Sequence, residues 1–164
     1  MATKMEFAQR FEAAPDVIWR LQSDPDYIRF RGERTGATSV TADVVSNPDG
    51  STQVTVVRVL PADVPSYAKS MIGESITVTE TYRWGAPGAD GSAAGTMEAS
   101  FSAPISFIAS MDLRADGAGT AIDTTGEFKA SIPFVGGKVE DLARQQTERY
   151  LRKEQAIAAE WLSR

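Results

Sequence analysis

One carboxylate stands out because it interrupts a strand face that is otherwise apolar. Residues 75–84 alternate between the two sides of a predicted strand, which places Glu80 on the same face as Tyr82 and Trp84. If this face points into the protein, the carboxylate is buried, and an unpaired buried carboxylate is costly. Glu80 must then pair with a cation or take up a proton, so the sequence predicts either an ion pair or a general base.

Arg58 is the predicted partner of Glu80. In the preceding strand it lies an even number of residues from Val54, so the two side chains share one face of the sheet. Val57 and Val59 on the opposite face are also apolar, so the sequence does not decide which face is buried. The two residues could form the polar end of a ligand pocket, where Arg58 binds an anionic or carbonyl group. They could also form a buried pair that anchors two strands, or lie in solvent at the strand end. Because buried ion pairs also serve purely structural roles, anchoring is the favoured interpretation.

The composition removes most of the common catalytic groups. The 164-residue chain contains no Cys and no His, so disulfides, thiolate metal sites, common zinc sites and Ser-His-Asp triads are excluded. A net charge of −5 disfavours nucleic acid as a partner, since that needs a positive field. The glycine pairs at 117–119 and 136–137 lack the features of phosphate loops. We therefore expect no cofactor and no metal.

The chain has no sign of a membrane-spanning segment. No stretch approaches the ~20 apolar residues that a spanning helix needs, and Met1–Glu6 has no apolar signal region. These patterns predict a cytoplasmic protein without integral membrane association. The length suits one domain over residues 1–164 with a sizeable core.

The C-terminal segment is predicted to be one long amphipathic helix from Lys138 to Leu162, since it contains no Gly or Pro. The Gly136-Gly137 pair predicts a flexible link into it. Its apolar stripe comprises Val139, Leu142, Ala143, Tyr150, Ile157 and Trp161. Gln146 and Lys153 interrupt the stripe beside Tyr150 and could reach a ligand head group. A buried hydrogen bond for Gln146 and a solvent-directed stem for Lys153 are the favoured interpretations.

The rest of the chain reads as strands with two short helices near its start. A first strand covers residues 4–12, and helices follow at Pro15 and, over Tyr27–Gly32, after Pro25. Period-two alternation then continues to Ala130, with a short helix at 66–72 and a loop without core residues at 85–95. This order predicts an α+β fold, in which a seven-stranded antiparallel sheet wraps around the long helix.

The predicted inner face of this sheet mixes large aromatic and small side chains. The aromatic members include Trp84, Phe107 and Phe128, and the small ones include Ala99 and Ala109. Small side chains on a concave sheet leave space beneath the helix. The sequence therefore predicts an internal cavity.

The order of elements resembles the START-like helix-grip superfamily, which includes pollen-allergen-like lipid binders, polyketide cyclases and START lipid-transfer domains. Within it, the chain resembles a bacterial family of unknown function. The motifs that carry this resemblance are Tyr27 with Arg31, Arg58-Val59-Leu60-Pro61-Ala62, Thr79-Glu80 with Arg83-Trp84, and Ser131-Ile132-Pro133 with Gly136-Gly137-Lys138-Val139-Glu140. The resemblance implies a cavity between sheet and helix that holds apolar small molecules.

Three functions are compatible with these observations. The favoured one is non-catalytic binding or carriage of an apolar small molecule or lipid. The second is a cyclase- or dehydratase-like enzyme that uses Glu80, Arg58 and Tyr82, because burial can raise the pKa of a glutamate towards neutrality. The third is an interaction protein with a filled core. The candidate ligand-binding residues are Arg58, Glu80, Tyr82, Trp84, Phe107, Phe128, Gln146 and Tyr150, and Glu80 is the candidate catalytic group.

Overall fold

A computed structural model describes residues 2–164. Within this range the chain forms seven strands and four helices. In chain order these are β1 (Thr3–Phe11), α1 (Pro15–Gln22), α2 (Pro25–Arg34), β2 (Ser39–Ser46), β3 (Thr52–Pro61), α3 (Ser66–Ile72), β4 (Ser75–Trp84), β5 (Ala93–Phe101), β6 (Ile105–Asp116), β7 (Gly119–Ala130) and α4 (Gly136–Leu162). The predicted order of elements is confirmed.

The seven strands form one antiparallel sheet in the order β1-β7-β6-β5-β4-β3-β2. Strands β2 to β7 follow one another as neighbours, and β1 pairs with β7. Strands β1 and β2 therefore lie at opposite edges of the sheet, and α1 and α2 carry the chain from one edge to the other. The predicted α+β fold, with a seven-stranded sheet and a long C-terminal helix, is confirmed.

Helix α2 begins with a well-formed cap that fixes its orientation. The side chain of Asp24 accepts a hydrogen bond from the backbone N–H of Asp26 at 2.9 Å, and Pro25 occupies the first turn. The four-residue spacing of Tyr27 and Arg31 places both on the buried face of this helix. The cap thus positions two polar side chains inside the protein.

Helix α4 packs mainly against β1, β7 and α2. Near its N-terminus it is held by Glu140, whose carboxylate accepts hydrogen bonds from the Thr3 hydroxyl at 2.8 Å and the Ala130 backbone N–H at 2.9 Å. Further along, Gln9 donates to the Leu151 carbonyl at 2.8 Å. The helix is thereby attached along one side of the sheet, and space remains between it and the inner face of the central strands.

Two predicted boundaries are wrong. Helix α4 begins at Gly136, so the Gly136-Gly137 pair forms its first turn and is not a flexible link. A side chain at 136 would place its Cβ 3.0 Å from the Ala130 carbonyl oxygen, which explains a glycine at this close approach. Strand β5 begins at Ala93, which is buried, and not after the predicted loop 85–95.

Gly95 explains why that part of the chain looks like a loop in the sequence. It lies inside β5, opposite Trp84 of β4, and a Cβ there would approach Cε3 of the indole to 2.7 Å. The glycine is therefore required by the packing of a large side chain and not by a turn.

We predict that Gly95→Ala lowers the free energy of unfolding by about 1–3 kcal/mol, because the buried Trp84 ring cannot move away from the added methyl group. The matched control is Gly137→Ala, where no atom lies within 4 Å of the added Cβ. This variant should be neutral or stabilising by up to about 1 kcal/mol. Urea unfolding followed by circular dichroism measures both, and equal stability of the two variants would contradict the packing explanation.

Candidate functional site

A cavity of about 580 Å³ lies between the sheet and α4. All eight residues that the sequence predicts as ligand-binding line it: Arg58, Glu80, Tyr82, Trp84, Phe107, Phe128, Gln146 and Tyr150. The remaining lining is mostly apolar, and the Phe107 and Phe128 rings stack with their centroids 4.2 Å apart. A volume of this size is typical of pockets for small organic molecules.

Arg58 and Glu80 form the predicted ion pair inside this cavity. Nε of Arg58 donates to Oε1 of Glu80 at 3.0 Å, and Nη2 donates to Oε2 at 3.4 Å. The hydroxyl of Tyr82 also donates to Oε2, at 3.2 Å. Val54 and Arg58 are both buried, so the face of β3 that carries them is the one that points into the protein. Glu80 is only 2% exposed, and both of its oxygens accept hydrogen bonds.

A second buried ion pair was not predicted from the sequence. Glu154 of α4 is 2% exposed, and its Oε2 lies 3.0 Å from Nη1 of Arg31. Tyr27 donates to the same oxygen at 3.0 Å, Gln22 donates to it at 3.2 Å, and Gln9 donates to Oε1 at 3.0 Å. One carboxylate thus joins α4 to β1, α1 and α2.

The surroundings of Glu154 favour its charged form. Burial alone would raise its pKa, but the Arg31 guanidinium and the hydrogen bonds from Gln9 and Gln22 outweigh burial, and the pKa lies below its usual value. Burial, together with the Glu154 charge, raises the pKa of the adjacent Tyr27. The carboxylate is therefore ionised at neutral pH, and Tyr27 remains a hydrogen-bond donor to it.

Tyr150 lies between the two ion pairs. Its ring centroid is 4.9 Å from Cζ of Arg58 and 5.8 Å from Cζ of Arg31. Its hydroxyl is buried and has no hydrogen-bond partner among residues 2–164. Nε of Arg31 and Nε1 of Trp84 are likewise buried and without an acceptor in the described chain. Three residues that line the cavity therefore carry buried donors that the described chain does not satisfy.

Gln146 and Lys153 are not part of this polar cluster. Both residues are exposed, although they contribute to the lining of the cavity. The predicted buried hydrogen bond of Gln146 is wrong, because its position on α4 is at the open side of the cavity. The exposure of Lys153 agrees with a solvent-directed side chain.

The position of Glu154 on the helix was the signal that could have identified it. Tyr150, Glu154, Ile157 and Trp161 follow the spacing i, i+4, i+7, i+11, which defines one helical face. When only the sequence is known, a charged residue within such a stripe is assumed to be exposed to solvent. Its burial becomes evident only when its partners on other elements are known. Arg31 belongs to the motifs of the family resemblance, but its spacing within a short helix does not indicate an ion pair.

The carboxylate of Glu80 is held by two neighbouring side chains. Its oxygens accept hydrogen bonds from Arg58 and Tyr82, so a proton transferred to Glu80 would leave the buried Arg58 without its charged partner. No group of three or more Asp or Glu residues that could hold a metal ion occurs within residues 2–164. No helix in this range is both long and apolar enough to cross a membrane.

We predict that Glu154→Gln lowers the free energy of unfolding by about 3–5 kcal/mol at pH 7, because Arg31 is left as an unpaired buried charge. The pKa of Glu154 is lower in the folded state than in the unfolded state. The ionised carboxylate therefore contributes fully to the free energy of unfolding at any pH above the usual glutamate pKa. This contribution is lost as the pH falls below the usual pKa and through the lowered pKa of the folded state. The difference between wild type and variant should therefore shrink in acid.

Urea unfolding at neutral and acidic pH measures this difference. Glu160→Gln is the matched control on the same helix, since Glu160 pairs with Arg34 at the surface and its loss should change stability little. A loss for Glu154→Gln no larger than that of the control, or one that does not depend on pH, would contradict the assigned role.

Comparison with solved structures shows that this fold is shared at low sequence identity. The protein TTHA0849 from Thermus thermophilus is similar at 15% identity with a TM-score of 0.61, covering 96% of this chain and 95% of that one. Ara h 8.0201 is similar at 15% identity and a TM-score of 0.57, covering 100% of both chains. Norcoclaurine synthase from Thalictrum flavum, solved with dopamine and hydroxybenzaldehyde, is similar at 12% identity and a TM-score of 0.56 over 99% of this chain and 88% of that one.

These similarities confirm the helix-grip fold. No curated protein sequence matches the chain. Residues 6–162 match a family described as "Protein of unknown function (DUF2505)", which agrees with the resemblance noted in the sequence. The chain therefore belongs to this DUF2505 family of helix-grip proteins.

Proposed function

We propose that the protein binds or carries an apolar small molecule or lipid in the cavity between the sheet and α4. The observation that carries this proposal is the cavity itself, with a volume of about 580 Å³ and a mostly apolar lining around a few buried polar groups. That combination is the usual character of a small-molecule site. The presence of small aromatic molecules in the similar norcoclaurine synthase is consistent with it.

The other two functions predicted from the sequence have less support. A filled-core interaction protein is disfavoured because unfilled space of this size is uncommon in a close-packed interior. Proton-transfer catalysis by Glu80 has less support because a proton on Glu80 would leave the buried Arg58 without its charged partner. A cytoplasmic location stays a prediction.

Blocking the cavity should abolish binding. We predict that Ala143→Trp, which adds an indole on the face of α4 that lines the cavity, weakens binding of the neutral dye N-phenyl-1-naphthylamine by about tenfold or more. Ala156→Trp, on the exposed side of the same helix, is the control and should bind like wild type. Fluorescence titration measures both, and equal dye affinity of all three proteins would place the dye outside the cavity.

Glu80→Gln separates an anchoring role from a role in the ligand site. We predict a loss of about 3–5 kcal/mol in the free energy of unfolding, since Arg58 loses its charged partner, whereas the folded variant keeps its dye affinity. Glu98→Gln is the control, because Glu98 pairs with Arg83 at the surface of the same sheet. Unchanged stability of Glu80→Gln together with lost dye binding would instead assign Glu80 to the ligand site.

A further inference from the structure

The buried arginines of the cavity offer more hydrogen-bond donors than the protein accepts. Arg58 uses Nε and Nη2 for Glu80. Arg31 uses only Nη1, which donates to Glu154 at 3.0 Å and to Gln22 at 3.5 Å. Nε of Arg31 has no acceptor among the residues that the structure describes, although this residue is only 3% exposed. A buried donor without an acceptor is costly, and such atoms are uncommon in folded proteins.

The hydroxyl of Tyr150 is a second donor of this kind. It is buried without a partner in residues 2–164, and its ring contacts both guanidinium groups. Burial raises the pKa of Tyr150 to about 12, although Arg31 and Arg58 act in the opposite direction. The hydroxyl is therefore protonated at neutral pH and can donate. Tyr150 and Arg31 are both among the residues that line the cavity.

We propose that Tyr150 and Arg31 form a subsite for an oxygen acceptor on the bound molecule. The ligand would be an apolar compound that carries a neutral carbonyl-type oxygen. This inference rests on the proposed binding function and adds to it the chemical class of the ligand. It also changes the polar contact expected from the sequence, because Arg58 uses Nε and Nη2 for Glu80, whereas Tyr150 and Arg31 each carry a buried donor without an acceptor in the described chain.

The balance of charge around this subsite favours a neutral oxygen over a carboxylate. The charges of Arg31 and Arg58 are each offset by a glutamate at 3.0 Å, so the four groups sum to zero. A carboxylate at this subsite would add a negative charge close to Glu80 and Glu154, and the other two cations of the lining, Arg149 and Lys153, are exposed residues. A carbonyl oxygen accepts the same hydrogen bonds without that cost.

Three naphthalenes of nearly equal shape test this proposal. 2-Acetylnaphthalene carries a carbonyl oxygen, 2-ethylnaphthalene lacks it, and 2-naphthoate carries a negative charge. Their affinities are measured by displacement of N-phenyl-1-naphthylamine. We expect the ketone to bind wild type about tenfold more tightly than the hydrocarbon, because it gains one or two hydrogen bonds. We also expect it to bind more tightly than the carboxylate.

Tyr150→Phe removes only the hydroxyl and should reduce the preference for the ketone to about threefold or less. Because this hydroxyl has no partner in the described chain, the variant should keep or raise the unfolding midpoint. Tyr27→Phe is the control, since its hydroxyl donates to Glu154. It should lower the unfolding midpoint and leave the preference for the ketone unchanged.

The possible results are distinguishable. Equal binding of ketone and hydrocarbon to wild type, or an unchanged ketone preference in Tyr150→Phe, overturns the subsite while the cavity remains a binding site. Tightest binding of 2-naphthoate overturns the neutral class of ligand. Failure of the dye and of all three naphthalenes to bind wild type would instead refute the proposed binding function, and the subsite with it.

Discussion

The buried ion pair between Glu154 and Arg31 is the constraint on which the interior depends. Glu154 accepts hydrogen bonds from β1, α1 and α2, so a single carboxylate fixes the C-terminal half of α4 relative to three other elements. A charged group held in this way cannot shift without losing several partners at once. Near the other end, Glu140 holds the N-terminal part of α4 to β1 and β7. The helix is thus fixed at both ends on one side of the sheet.

The cavity is a consequence of how α4 is held. Because the helix packs mainly against β1, β7 and α2, the inner faces of the central strands do not have it as a close neighbour. The small side chain of Ala99, which lines the cavity, adds to the unfilled space. The Arg58–Glu80 pair occupies part of this interior and links β3 to β4 across the sheet. The two buried ion pairs and the apolar lining therefore share one cavity, and Tyr150 lies between the two pairs.

Strand alternation in the sequence was sufficient to predict the fold and one of the two ion pairs. It placed Glu80 on an inward face and identified Arg58 as its partner, because a period of two leaves little freedom in a half-buried strand. It could not predict that β5 starts at Ala93, since Gly95 looks like a turn residue until Trp84 is seen against it.

The helix was less informative than the strands. A stripe on a long helix identifies the face that is covered, but not which of its polar members are buried. Glu154 and Gln146 show the difference, since the first has four partner side chains and the second is exposed at the open side of the cavity. The burial of Glu154 depends on α2 and β1, which are more than 100 residues away in the chain. Local patterns in the sequence do not predict contacts between residues that are so far apart in the chain.

A crystal structure of the protein grown with 2-acetylnaphthalene would test the central claim most directly. We expect the ligand to lie between the sheet and α4, with its carbonyl oxygen within hydrogen-bonding distance of the Tyr150 hydroxyl and both ion pairs intact. An interior closed by side chains, or a ligand found only on the outer surface, would contradict the claim that this fold encloses a binding cavity.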